Sequence, residues 1–132
     1  MILIDSSAWI HFFNQTGHPI AGIVAELIRL DEAATCGLIV TEVLSGAEKK
    51  AEYSLLKKQF ELLSHLNLEK KDYFAAGLLR SRLRMKGIRI KTVDTLIARL
   101  AIKSKTPLLH HDSDYNRIAK FSSLKIFPGS LV

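Results

Sequence analysis

Met1-Ile2-Leu3-Ile4-Asp5-Ser6-Ser7-Ala8-Trp9-Ile10 opens the chain and decides how the rest is read. Met1 to Ile4 form an apolar run without polar interruption, the pattern of a strand buried on both faces in the middle of a parallel sheet. Asp5 stands where that strand should end. Open α/β sheets gather ligands at the carboxyl ends of their strands, so a carboxylate there faces a crevice rather than the core. Ser6 and Ser7 are suited to cap a helix beginning Ala8-Trp9-Ile10-His11-Phe12-Phe13. Taken alone, Asp5 reads equally well as a helix cap. Three further aspartates in the same kind of place favour a site.

The sequence has 132 residues, 48% of them hydrophobic, which predicts one domain, residues 1–132, burying about two-thirds of its unfolded surface. A formal charge of +6 favours an anionic partner such as nucleic acid. Cys36 is the only cysteine, which excludes an intrachain disulfide and a cysteine-based zinc cluster and fits a reducing compartment. The first residues lack the basic start of a secretory signal, and no apolar run approaches the ~20 residues of a membrane span. These features predict a cytoplasmic protein with no membrane partner. No repeat, low-complexity tract or linker divides the chain.

Residues 14–19 read as a turn-rich loop, and Ile20, Ile23, Val24, Leu27 and Ile28 lay one apolar stripe on a helix. Residues 33–36 predict a short inner strand of small residues. A helix is expected to start near Thr41, capped by its hydroxyl, which would put Glu42 in the first turn at the positive end of the helix dipole. Residues 51–66 predict an amphipathic helix, 66–68 a brief edge strand and 69–86 a longer helix. Arg80, Arg82, Arg84, Lys86, Arg89 and Lys91 follow with no acid among them, a solvated face or a surface for a phosphate backbone. Thr92 is expected to cap a helix over 92–101 with Asp94 in its first turn. Residues 106–111 then read as a strand, followed at once by Asp112 and a helix to Ala119, repeating the order strand, acid, helix of Asp5. The last strand is expected at 124–127.

Four of the six aspartates, Asp5, Asp94, Asp112 and Asp114, thus fall at strand ends or helix starts. Parallel strands would bring those ends to one edge of the sheet, where Glu42 can join them. Carboxylates so close repel and raise one another's pKa, and a divalent cation removes that cost. Oxygen-only ligands select a hard ion, Mg²⁺ or Mn²⁺, over zinc. Such an ion supports phosphodiester hydrolysis, and the basic run would attract the polyanion.

Asp5-Ser6-Ser7-Ala8-Trp9-Ile10, Glu42 with Leu44-Ser45-Gly46-Ala47-Glu48, Thr92-Val93-Asp94-Thr95-Leu96-Ile97-Ala98, and Leu108-Leu109-His110-His111-Asp112-Ser113-Asp114-Tyr115 resemble the PIN-domain ribonucleases. The resemblance is greatest to the VapC-type toxins of toxin-antitoxin pairs, and it runs almost end to end. It implies a three-layer α/β/α sandwich around a mainly parallel sheet and a metal site built from Asp5, Glu42, Asp94 and Asp112, with Asp114 nearby. It further implies RNA cleavage dependent on Mg²⁺ or Mn²⁺, a homodimer, and inhibition by an antitoxin protein. Toxins of this kind commonly carry Thr or Ser two positions before the fourth acid, where this chain has His110. That imidazole can hydrogen-bond behind the metal or crowd it. Tyr115 replaces the more frequent Phe.

Under that reading Asp5, Asp94 and Asp112 hold one or two Mg²⁺ ions, with Glu42 binding directly or through water. Ser6, Ser7 and Thr92 orient the ligands, and Arg80, Arg84 and Arg89 contact the RNA backbone. A rival reading from another class is a catalytically silent PIN-fold module that binds RNA or a partner protein. A receiver domain would need an aspartate after a mid-chain strand, and a haloacid-type phosphatase would need one at position 7, which is Ser7. No glycine-rich phosphate loop follows the first strand. His11, His18 and His65 read as isolated, so a histidine metal site is not expected. Trp9 reads as a core anchor with Phe12 and Phe13.

Overall fold

A computed structural model describes residues 1–130. The first strand, β1 (Ile2–Ile4), runs straight into α1 (Ser6–Phe13), and α2 (Pro19–Arg29) leads to β2 (Ala33–Cys36). Then come α3 (Gly37–Leu44), α4 (Lys50–Glu61), β3 (Ser64–Leu66), α5 (Lys70–Met85), α6 (Thr92–Lys103), β4 (Leu108–Leu109) and α7 (Ser113–Lys120). The strands pair in the order β3-β2-β1-β4, all parallel. Ile2 sits beside Ala33, and Leu3 beside both Ala34 and Leu108, so β1 is interior as its apolar run predicts.

Every residue of β1 and β2 is buried. Successive side chains of a strand point to opposite faces, so both faces of the sheet are covered, as in the expected sandwich. On these faces α1 packs against α2 and α3, and α5 packs against α6, which also meets α7. Trp9 is wholly buried, stacked on Phe13 at 5.3 Å between ring centroids and edge-on to Phe60 at 5.2 Å. It is a core anchor, as its spacing predicts. Among the described residues no helix is long and apolar enough to cross a membrane.

Several boundaries differ from expectation. The helix placed near Thr41 begins four residues earlier, at Gly37, and the Thr41 hydroxyl donates back to the Gly37 carbonyl at 2.8 Å instead of capping. Glu42 therefore lies in the last turn of α3, away from the positive end of its dipole. The helix expected to reach residue 66 stops at Glu61, and the edge strand lies at 64–66 rather than 66–68. Chain order explains this: β3 must pair with Ala34 to Cys36, and that register uses Ser64, His65 and Leu66. The strand expected over 106–111 is only Leu108–Leu109, and residues 124–127 contribute a single bridge from Ile126 to Leu108.

Candidate metal centre

Two of the acids leave the sheet at neighbouring strand ends. Asp5 follows β1, and its N–H donates to the Leu109 carbonyl of β4 at 3.0 Å, which ties it to the segment leading to Asp112. Both aspartates are N-caps. Asp5 Oδ2 accepts from the Ser7 N–H at 3.0 Å and the Ser7 hydroxyl at 2.6 Å, and Asp112 Oδ1 accepts from the Asp114 N–H at 3.0 Å. Asp5 itself, not Ser6 or Ser7, is the cap of α1, so its two sequence readings describe one residue. Asp94 reaches the same place from the first turn of α6, and Asp114 from that of α7.

One carboxylate oxygen each from Asp94, Asp112 and Asp114 lies within 4.8 Å of the others. Tyr115, fully buried, donates its hydroxyl to Asp5 Oδ1 at 2.8 Å, with Asp94 Oδ1 at 3.4 Å from the same oxygen. A phenol has one proton, so the shorter contact is the bond and the longer one the weaker approach. Glu42 arrives from the side, its Oε1 accepting from the Ser6 hydroxyl at 3.1 Å. Asp114 is also paired with Arg117.

Burial raises the Asp94 carboxyl to about 6, reinforced by Asp5, Asp112 and Glu42 and opposed by Lys91. Asp94 Oδ2 is buried with no hydrogen-bond partner among the described residues. Glu42 is raised by burial and then by Asp5, while the Ser6 bond and Lys91 oppose the rise. Burial and the adjacent Asp5 and Asp94 raise Tyr115 well above the ordinary phenol range, so its hydroxyl stays a donor.

His110 does not crowd the acids. Its buried ring accepts the Asp112 N–H on Nδ1 at 3.0 Å, and Nε2 lies 3.1 Å from Asn116 Oδ1. With Nδ1 accepting, the proton sits on Nε2 and is donated to Asn116. Burial lowers the His110 pKa, against the pull of Asp5, Asn116 and Asp112, and so favours the neutral ring. Thr92 departs from expectation: Lys91 is the N-cap of α6, and among the described residues the Thr92 hydroxyl makes no hydrogen bond to the acids. Arg80, Arg84 and Arg89 line one small cavity of about 120 Å³ with Ile88 and Ile90, where Arg80 Nε donates to the Ile90 carbonyl at 2.7 Å.

Sequence reasoning missed the Tyr115 hydroxyl, Lys91 and Asn116 as parts of this centre. Helical spacing carried two of the signals, since Tyr115 lies three residues after Asp112 and Lys91 three before Asp94. It also took His11 and His18 as isolated, whereas their rings meet that of His111.

A parallel α/β sheet with acids gathered at its carboxyl edge defines a recognisable class, and known proteins agree with it. The family profile of the PIN domain matches residues 2–121. The VapC ribonuclease Mb1587 of Mycobacterium bovis is 36% identical over 130 residues, covering 95% of this chain and 96% of the relative. Ribonuclease VapC11 of Mycobacterium tuberculosis matches with the same figures, 36% identity over 95% of this chain and 96% of its own. The chain belongs to the PIN domain family and, within it, to the VapC group. Among solved structures, VapBC2 of Rickettsia felis bound to a promoter DNA fragment shares the fold with a TM-score of 0.77 at 22% identity, over 96% of this chain and 98% of that one. VapBC-1 of nontypeable Haemophilus influenzae superposes with a TM-score of 0.76 at 18% identity, over 96% and 97% of the two chains.

Proposed function

We propose that the chain is an endoribonuclease that hydrolyses RNA phosphodiester bonds with a bound Mg²⁺ ion, for which Mn²⁺ substitutes, and that it is the toxin of a toxin-antitoxin pair. The observation that carries this reading is the approach of Asp94, Asp112 and Asp114 within 4.8 Å, together with a buried Asp94 oxygen that has no hydrogen-bond partner among the described residues. Leaving such an atom unpaired costs about 1–3 kcal/mol, and gathering like charges adds to the cost. A hard divalent cation relieves both, and the donors are all oxygen.

Asp5, Asp94 and Asp112 would hold the ion, with Glu42 binding directly or through water and Asp114 beside them. Bound there, a divalent ion lowers the pKa of a water and neutralises charge on a phosphoryl oxygen. The rest of the site holds ligands still. Tyr115 and Ser7 fix the two oxygens of Asp5, Ser6 fixes Glu42, and His110 fixes the backbone of Asp112. Arg80, Arg84 and Arg89 supply positive charge for the RNA backbone. The curated relatives named ribonucleases, and the VapBC neighbours, support the substrate class and the pairing with an antitoxin. An apolar groove of about 840 Å³ between α1, α2, α3 and α4, walled by Phe12, Phe13, Ala21, Val43, Leu55 and Leu56, suits the apolar face of an antitoxin helix. The exposed Tyr73, Phe74 and Leu78 of α5 suit a second copy of the chain in a homodimer.

The test is cleavage of total cellular RNA by the purified protein with Mn²⁺, with EDTA, and with Asp94→Asn. Discrete fragments that require both metal and Asp94 are expected. Intact RNA from folded, antitoxin-free protein would overturn the reading in favour of a silent binding module.

A further inference from the structure

Three of the five histidines meet on the side of α1 away from the aromatic core. His11 comes from the last turn of α1, His18 from the N-cap of α2, and His111 from the segment between β4 and Asp112. Their ring centroids are 4.6 Å apart for His11 and His18, 4.6 Å for His18 and His111, and 5.0 Å for His11 and His111. Since they come from three separate segments, the fold and not local sequence brings them together.

The ring nitrogens point to a ligand. Among the described residues His111 Nδ1 is buried without a hydrogen-bond partner, a state that costs about 1–3 kcal/mol unless something binds it. His11 Nδ1 lies 2.7 Å from Thr16 Oγ1, which leaves Nε2 available and steadies the ring through its other nitrogen, as metal-binding imidazoles are steadied. His18 Nδ1 accepts the Ile20 N–H at 3.1 Å, a cap bond it would exchange for an ion. Burial and then the neighbouring His18 and His111 lower the His11 pKa, favouring the neutral ring that ligates.

We propose that His11, His18 and His111 form a second metal site, selective for a borderline divalent cation of the Zn²⁺ class. Imidazole donors favour such ions, whereas the carboxylates nearby favour Mg²⁺ and Mn²⁺. With metal–nitrogen distances of about 2.0–2.1 Å, three imidazoles on one tetrahedral ion place their ring centres roughly 5 Å apart. The rings already have that spacing. Their nitrogens do not yet converge, because among the described residues the only set of three ligand atoms within 4.8 Å is that of Asp94, Asp112 and Asp114. Closure on an ion takes rotation about the Cβ–Cγ bonds, a soft torsion in histidine. The site adjoins the acids, since His111 precedes Asp112 and its N–H donates at 2.9 Å to Ser7 Oγ, which bonds Asp5.

The test is a titration of the metal-free full chain with Co²⁺ in excess Mg²⁺, followed by visible absorption. It uses no RNA, so its outcome is independent of the nuclease reading. One equivalent of Co²⁺ should bind with the intense bands of four-coordinate cobalt, Zn²⁺ should displace it, and Asp94→Asn should bind it equally. His18→Asn, which keeps a capping side chain for the Ile20 N–H, should weaken binding about tenfold or more, and His11→Ala should do the same. No such band in the wild type would overturn the proposal, as would a band removed by Asp94→Asn but kept by folded His18→Asn and His11→Ala.

Discussion

At Asp94, burial and the charges of Asp5, Asp112 and Glu42 all disfavour the ionised form. Its carboxyl rises from 3.8 to about 6 on folding, so between those values the native state holds a proton that the unfolded chain has released. Stability of the metal-free protein from this group is therefore full below pH 4 and declines as pH rises to about 6, a loss on the order of 1–3 kcal/mol. Asp94→Asn should raise the metal-free Tm at pH 7 by about 3–10 °C, with the gain vanishing near pH 4 in calorimetry. Mg²⁺ should stabilise the wild type more than the variant. Tyr115 gives a second test: Tyr115→Phe keeps the ring in its buried place and removes only the bond to Asp5. Mg²⁺ affinity by titration calorimetry should fall about tenfold, and an unchanged affinity would remove the hydroxyl from the centre. The acids themselves were legible because charge at the end of an apolar run is conspicuous. The tyrosine hydroxyl was not, because an aromatic at a core spacing reads the same with or without its oxygen.

Between α5 and α6 the buried Asp72 receives Arg99 and Lys103, and it closes a capping box with the Glu69 backbone. The Lys103 and Glu69 hydrogen bonds lead in lowering its carboxyl from 3.8 to about 2. Its contribution is present above the ordinary carboxylate range and is lost as pH falls toward 2. Asp72→Asn should lower Tm at pH 7, and the difference should close in scans taken near pH 2. This clamp was invisible in the sequence, since its partners lie 27 and 31 residues away along the chain. Helices with an apolar stripe were legible, as α2 and α6 show. The bounds of β3 and β4 were not, because these two strands are set by pairing with β2 and β1 rather than by their own pattern. The start of α3 was misplaced for a related reason: Gly37 is a poor helix former, and Thr41 offered a cap that tertiary context did not use.

Over the whole molecule, a net charge of +6 surrounds a centre where acids converge. If the proposed function holds, long-range attraction of RNA would fall to basic residues outside the centre, among them Arg84 and Arg89. Arg84→Ala and Arg89→Ala should each lessen the salt dependence of RNA binding, reducing the slope of log K against log salt by about 0.7. An unchanged slope in filter binding would place the RNA elsewhere. The charge pattern was readable from composition, but the grouping of these arginines around one cavity depends on how the α5 end folds against Ile90. Asp5 and Asp112 each cap a helix through a carboxylate oxygen, and asparagine caps as well as aspartate does. In evolutionary terms, a lineage can lose either carboxylate charge by a single codon change and still inherit the geometry of α1 and α7, so folded descendants without it lie one mutational step away.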